Sequence, residues 1–167
     1  MQLLIDLEEI IMPRCFALMA GLSGFCHIFN IDQPVGRGCP NMRADVLLVQ
    51  WMLAVWLSKA PKIPESIARH MQSKNIINKS GALKIDGVYG SQTMAWIKGF
   101  EESYTGVVKD GRIDPLGGGM GTTSGKTMKL WLLNNAVWAA GGFRGGILGV
   151  NSGSIHFPTE LVPHLFR

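Results

Sequence analysis

IDGVYGSQTMAWIKGFE, residues 85–101, decides how the rest of this sequence folds. Asp86-Gly87 is a turn signal, because an aspartate side chain can bond backbone two residues on and glycine accepts a positive φ. Tyr89 and Gly90 follow. Ser91 then offers a hydroxyl to an unpaired amide of a first helical turn and reads as the helix cap. Met94, Ile97 and Phe100 recur at helical spacing. The pattern predicts a helix over residues 91–104, with Trp96, Phe100 and Tyr104 stacked at every fourth position.

Upstream, residues 45–57 are apolar nearly all round and broken only by Gln50. A helix of that kind is buried on most sides, so Trp51 and Trp56 are expected in the core. Asn41 is the expected N-cap, and Asp45 falls in the first turn, where the helix dipole favours a negative charge. Pro61 and Pro64 end this helix, and Pro64 opens a short one over residues 64–73 with a polar face. Downstream, Asp110-Gly111-Arg112-Ile113 repeats the turn. A glycine-rich run at 117–121 follows. Thr123 or Ser124 then caps a helix that reaches about residue 140, and Gly141-Gly142 stops it.

The two ends read differently. Residues 1–11 have the spacing of an amphipathic helix, which Pro13 interrupts. Residues 15–31 are nearly uncharged. They read first as a buried strand or helix, second as a processed leader starting at Met12, and last as a membrane anchor. The stretch is too short and interrupted for a transmembrane span. Residues 31–41 hold two prolines and two glycines and form an irregular lead-in. In the glycine-rich tail, residues 147–150 and 154–157 could pair as a short β-hairpin across Asn151-Ser152-Gly153, and residues 158–166 form a helical turn or two.

The chain has 167 residues, enough for one domain with a core. It is 47% hydrophobic and only 17% charged, below the usual quarter or so, which fits either a protein partner or homo-oligomer covering apolar surface or simply an apolar domain. The net charge of +4 is compatible with anionic partners such as cell-wall polymers and does not demand them. No run of Lys or Arg marks a nucleic-acid surface, so none is expected as a partner. Three cysteines, Cys15, Cys26 and Cys39, form neither a disulfide framework nor a zinc pattern and read as small buried hydrophobes.

Catalytic patterns are not met. Gly125-Lys126-Thr127 lacks the glycine five places earlier that a phosphate loop needs, since Met120 stands there. His27, His70, His156 and His164 make no metal-ligand pair, so no metal or other cofactor is expected. Glu101 and Glu102 are adjacent on a helix and point about 100° apart. They therefore do not face each other across a glycosidic bond, and the pair reads as a solvated helix face. Nothing marks Cys39 as a nucleophile beside His27 or His70.

The order of these pieces resembles the bacterial peptidoglycan-binding-like domain. That family shows a helix with a Leu-Gln pattern, an Asp-Gly-x-aromatic-Gly-x-x-Thr turn, a helix ending in Phe-Gln, and a degenerate second copy. Here residues 46–53 (VLLVQWML) match the first helix, and residues 86–93 (DGVYGSQT) fit the turn. Phe100-Glu101 stands in place of Phe-Gln. Asp110-Gly111-Arg112-Ile113 with Thr127-Met128-Lys129-Leu130 matches the second copy, with a long insertion. The resemblance spans residues 41–135.

It implies a mainly α fold: a small helical bundle with a three-helix core over residues 41–140, flanked by an N-terminal extension at 1–40 and the glycine-rich extension at 141–167. Two Asp-Gly repeats related by pseudo-symmetry would present a shallow groove for peptidoglycan or its fragments. Tyr89, Gln92, Trp96 and Lys98 are the candidate groove residues, while Asp86, Gly87, Gly90, Thr93, Asp110 and Gly111 shape the turns. The expected function is a non-catalytic binding module. The alternative is a structural or adaptor subunit of a phage-tail-like or type VI secretion assembly, docking protein partners through its apolar ends. Either role implies the cell envelope or an envelope-associated assembly, without a clear signal peptide, the chain otherwise being cytoplasmic before export.

Overall fold

A helix with no wet face is stable only where other elements surround it. The computed structural model describes residues 14–19, 25–59, 83–117, 122–123, 126–139 and 155–165, and it puts the apolar run at their centre. In α1 (Arg43–Lys59) every residue from Asp45 to Trp56 is buried. Two further helices, α2 (Ser91–Glu102) and α3 (Lys129–Ala139), pack against it. The protein is a mainly α, small domain with little strand. No described helix is long and apolar enough to cross a membrane.

The strands form three antiparallel pairs among the described residues. The uncharged stretch read as strand or helix is strand over residues 15–19 and 25–30, the parts of it that are described as regular structure. β1 (Arg14–Met19) pairs with β2 (Phe25–Asn30), from Arg14 opposite Asn30 to Met19 opposite Phe25. β3 (Val35–Gly36) pairs with β4 (Arg112–Ile113) and ties the lead-in to the second turn. β5 (Thr122–Thr123) pairs with β6 (Lys126–Thr127). That last pair occupies residues expected to start a helix. α3 begins at Lys129 instead, after the ladder has used the backbone of Lys126 and Thr127.

Two side-chain amides, one buried and one partly buried, hold β2 in place. Asn134 of α3 accepts the Phe29 amide at 2.7 Å and donates to the Phe29 carbonyl at 2.9 Å. Asn30 does the same for Leu116, accepting its amide at 2.7 Å and donating to its carbonyl at 3.3 Å. Each side chain acts as a one-residue strand partner and satisfies backbone groups that would otherwise be stranded.

The core draws on both ends of the chain. Phe29 of β2 stacks on Phe157 with centroids 5.9 Å apart, and Trp51 meets both rings edge-on at 5.4 and 4.8 Å. Leu161, in the 3₁₀ turn Thr159–Leu161 that leads into α4 (Val162–Leu165), is 1% exposed in the same cluster. The last helical turns are thus present as expected, and segments expected as extensions supply core residues. Trp56 and Phe100 add a second aromatic contact at 5.2 Å, with Tyr104 tilted against Phe100 at 5.0 Å just beyond the end of α2. The helices expected over residues 1–11 and 64–73, and most of the tail hairpin, lie outside the described residues.

Two expected caps differ. Asn41 has a left-handed backbone, φ 52, and its side chain closes the preceding loop by bonding the Gly36 amide and carbonyl and the Cys39 carbonyl. Met42 therefore accepts the first helical bond, from Val46. Ser91 is the first residue of α2, and extended Gly90 precedes it as the cap, with no side-chain bond. Asp45 is in the first turn as expected, but its carboxylate turns back to accept the amides of Asp32 and Gln33 at 3.1 and 3.0 Å. Burial pushes its pKa up from 3.8 to about 6. The two amide bonds oppose this, and the nearby Asp32 charge adds to it.

Two measurements test this packing. Phe157→Ala should lower stability by about 3 kcal/mol, read as a lower urea midpoint at unchanged slope, because it opens a cavity against Trp51 and Phe29. Asp45 sets a pH dependence. Its folded pKa lies above the unfolded one, so its contribution is fully present below about pH 4 and is lost as pH rises through about 6. Stability should fall by on the order of 2 kcal/mol across that window, and Asp45→Asn should flatten the fall.

Candidate functional site

The two Asp-Gly turns are held by the same device in different chemistry. At the first, Gln50 projects from α1 with 1% exposure. Its Oε1 accepts the amides of Asp86 and Gly87 at 3.0 and 2.8 Å. Its Nε2 donates to the Val88 carbonyl at 3.1 Å, to Thr93 Oγ1 at 3.0 Å and to Asp86 Oδ1 at 3.2 Å. The Asp86 carboxylate also accepts the Val88 amide at 2.9 Å, the aspartate turn expected from sequence. Burial alone would raise the Asp86 pKa, but the Val88 amide, Lys84 and Gln50 outweigh it and hold the carboxylate below its usual range.

Gly87 is required twice over. Its φ is +71°, and a Cβ there would meet Arg43 Cγ at 2.8 Å and Leu47 Cγ at 2.9 Å. Arg43 closes this corner from outside, donating to the Asp86 carbonyl and pairing with Glu160 of the C-terminal segment at 2.9 Å. Thr93, in the first turn of α2, is 2% exposed and bonds the Val88 carbonyl at 3.3 Å. Gly90 makes no comparable demand, being exposed and extended with open space around it.

At the second corner Glu101 takes the part of Gln50. It is 2% exposed, so the expected solvated helix face holds for Glu102 and fails for Glu101. Its two oxygens accept the Gly111 amide at 2.9 and 3.1 Å. Lys129, at the start of α3 and 6% exposed, donates to Glu101 Oε1 at 2.7 Å, to the Val108 carbonyl at 3.0 Å and to Asp110. Asp110 accepts the Arg112 amide at 3.0 Å, as Asp86 does for Val88. Burial would raise its pKa, but Lys129 outweighs that and holds it low. Gly111 has φ +74°. Removing one member of such a buried pair leaves the other uncompensated, at a cost of about 3–5 kcal/mol.

The candidate groove residues separate. Trp96 is 0% exposed and belongs to the core, where it offers no face to solvent. Lys98 is exposed, with its Cε 3.9 Å from where a Gly111 Cβ would lie. Gln92 is half-buried and accepts the Lys84 amide at 3.3 Å. Tyr89 is half-buried, and its hydroxyl is shielded from water with no hydrogen-bond partner among the described residues. Burial raises its pKa, Cys39 and Glu101 push the same way, and Arg37 opposes them. Among the described residues no group of three or more His, Cys, Asp or Glu is placed to hold a metal ion.

Gln50 was visible in the sequence as the one interruption of an apolar run. Glu101 and Lys129 carried no such sign, since both are ordinary helix residues until the fold pairs them with each other and Glu101 with the Gly111 amide. No family model, curated protein or solved structure matches this chain.

The corner makes a direct prediction. Gln50→Leu keeps the volume but strands the buried Gly87 amide and the partly buried Asp86 amide, and should cost about 2–4 kcal/mol in urea unfolding. Gly87→Ala should cost a comparable amount, whereas Gly90→Ala should fall within about 0.5 kcal/mol of the parent.

Proposed function

We propose that this chain is a non-catalytic module that binds bacterial cell-wall peptidoglycan through a peptidoglycan-binding-like arrangement of its three main helices. The carrying observation is the pair of like corners. In each, a buried side chain late in one helix or midway along it grips the amide of an Asp-Gly turn, and the glycine takes a left-handed φ. That is the repeated element on which the sequence resemblance rests. The half-buried Gln92 and the exposed Lys98 are the candidate contacts, with Tyr89 beside them; amides, cations and aromatic faces suit a polymer rich in amides, hydroxyls and carboxylates.

A second reading, a structural or adaptor subunit of a phage-tail-like or type VI secretion assembly, is favoured by one feature. Trp138 near the end of α3 is 58% exposed, an unusual state for so large an apolar side chain.

Sedimentation with purified sacculi tests the first reading. The protein should pellet, and Gln92→Ala with Lys98→Ala should reduce the pelleted fraction severalfold while circular dichroism stays unchanged. Failure to pellet, with an oligomer in light scattering that Trp138→Ala disperses, would favour the second.

A further inference from the structure

The backbone of the lead-in and that of the second corner come into direct contact. A Cβ on Gly36 would lie 2.5 Å from the Gly111 carbonyl and 2.7 Å from Arg112 Cα, so only glycine admits this approach. The contact gathers cations from three elements. Arg37 follows Gly36 in the turn closed by the Cys39 amide on the Gly36 carbonyl at 3.2 Å. Arg112 sits opposite Gly36 in the β3–β4 pair, and Lys98 reaches across from α2 to Gly111.

Not every charge at this junction is paired. Lys129 is matched by Glu101 and Asp110, and Arg112 pairs with Asp114 at 2.8 Å. Arg37 and Lys98 are exposed and make no ion pair with any described residue; Lys98 leaves even Glu102, one turn on, unpaired. One donor of the β3–β4 pair, Arg112 Nε, also lacks an acceptor among the described residues. Cations without an ion pair, beside a donor without an acceptor, can make charge-assisted hydrogen bonds to an oxyanion.

We infer that the Gly36–Gly111 junction binds an oxyanion, a carboxylate or a phosphate, with Arg37 and Lys98 as its cationic partners and Arg112 as a neighbouring donor. Which polymer carries the oxyanion rests on the wall-binding reading above; the site itself does not. Stem-peptide carboxylates and phosphodiester polymers share the chemistry.

The test uses the full chain, titrated separately with inorganic phosphate and with acetate, each against chloride at equal ionic strength. Amide shifts of Gly36, Arg37, Gly38 and Gly111 report binding. Saturable shifts at these amides are expected, and Arg37→Gln with Lys98→Gln should weaken the apparent affinity about fivefold or more. Lys84→Gln, which removes an exposed cation at the other corner, should leave it unchanged. Saturation by phosphate alone supports the site and points to a phosphate polymer; saturation by acetate supports it and points to peptide carboxylates. Shifts no larger than those of chloride, or an affinity that the paired substitution leaves intact, would overturn the proposal. Binding of either anion without sacculus pelleting would uphold this site and remove the wall-binding reading.

Discussion

The interaction on which the rest depends is the grip of the Gln50 amide on the turn at residues 86–88. A primary amide offers an acceptor and two donors at one side-chain end. At 1% exposure Gln50 uses both functions on backbone, taking the Asp86 and Gly87 amides and giving to the Val88 carbonyl. This ties α1 to the segment that launches α2. It also solves the problem that a polar group in an apolar helix creates. A buried amide is costly when unpaired and stabilising when fully paired, so its burial is selective for one placement of the turn.

The second corner repeats the geometry with charge in place of an amide. A carboxylate can accept but not donate, so Glu101 needs a cation, and Lys129 provides it from α3. The consequence is a different kind of link. Gln50 joins a helix to a loop, whereas Glu101 and Lys129 join two helices and a loop through one buried ion pair. Such a pair adds little net stability over an apolar contact, yet it strongly penalises any arrangement that separates its members. It therefore specifies where α3 starts relative to the turn, over an intervening segment of more than fifteen residues.

Between the corners, the chain ends complete the core. Trp51 lies against Phe29 from near the beginning and Phe157 from near the end. Asn134 and Asn30 then fix the strand that carries Phe29 by pairing side-chain amides with backbone. The helical centre alone would leave Trp51 uncovered by these rings.

Local chemistry determined much on its own. The Asp-Gly turns, the buried helix about Trp51, the helix over most of residues 91–104 and the final helical turn are all dictated within a few residues, by glycine φ, apolar periodicity and proline. What lay beyond the sequence shares one physical cause, contact between groups far apart in the chain. Asn41 and Asp45 had the chemistry of helix-start residues, and the lead-in loop claimed their side chains instead. Trp96 had the look of a ligand platform, and packing placed it in the core. Glu101 read as a solvated residue until the Gly111 amide and the Lys129 ammonium met it. Secondary structure here follows from short-range sterics, but the partner of each buried polar group is a long-range choice, and only the folded chain makes it.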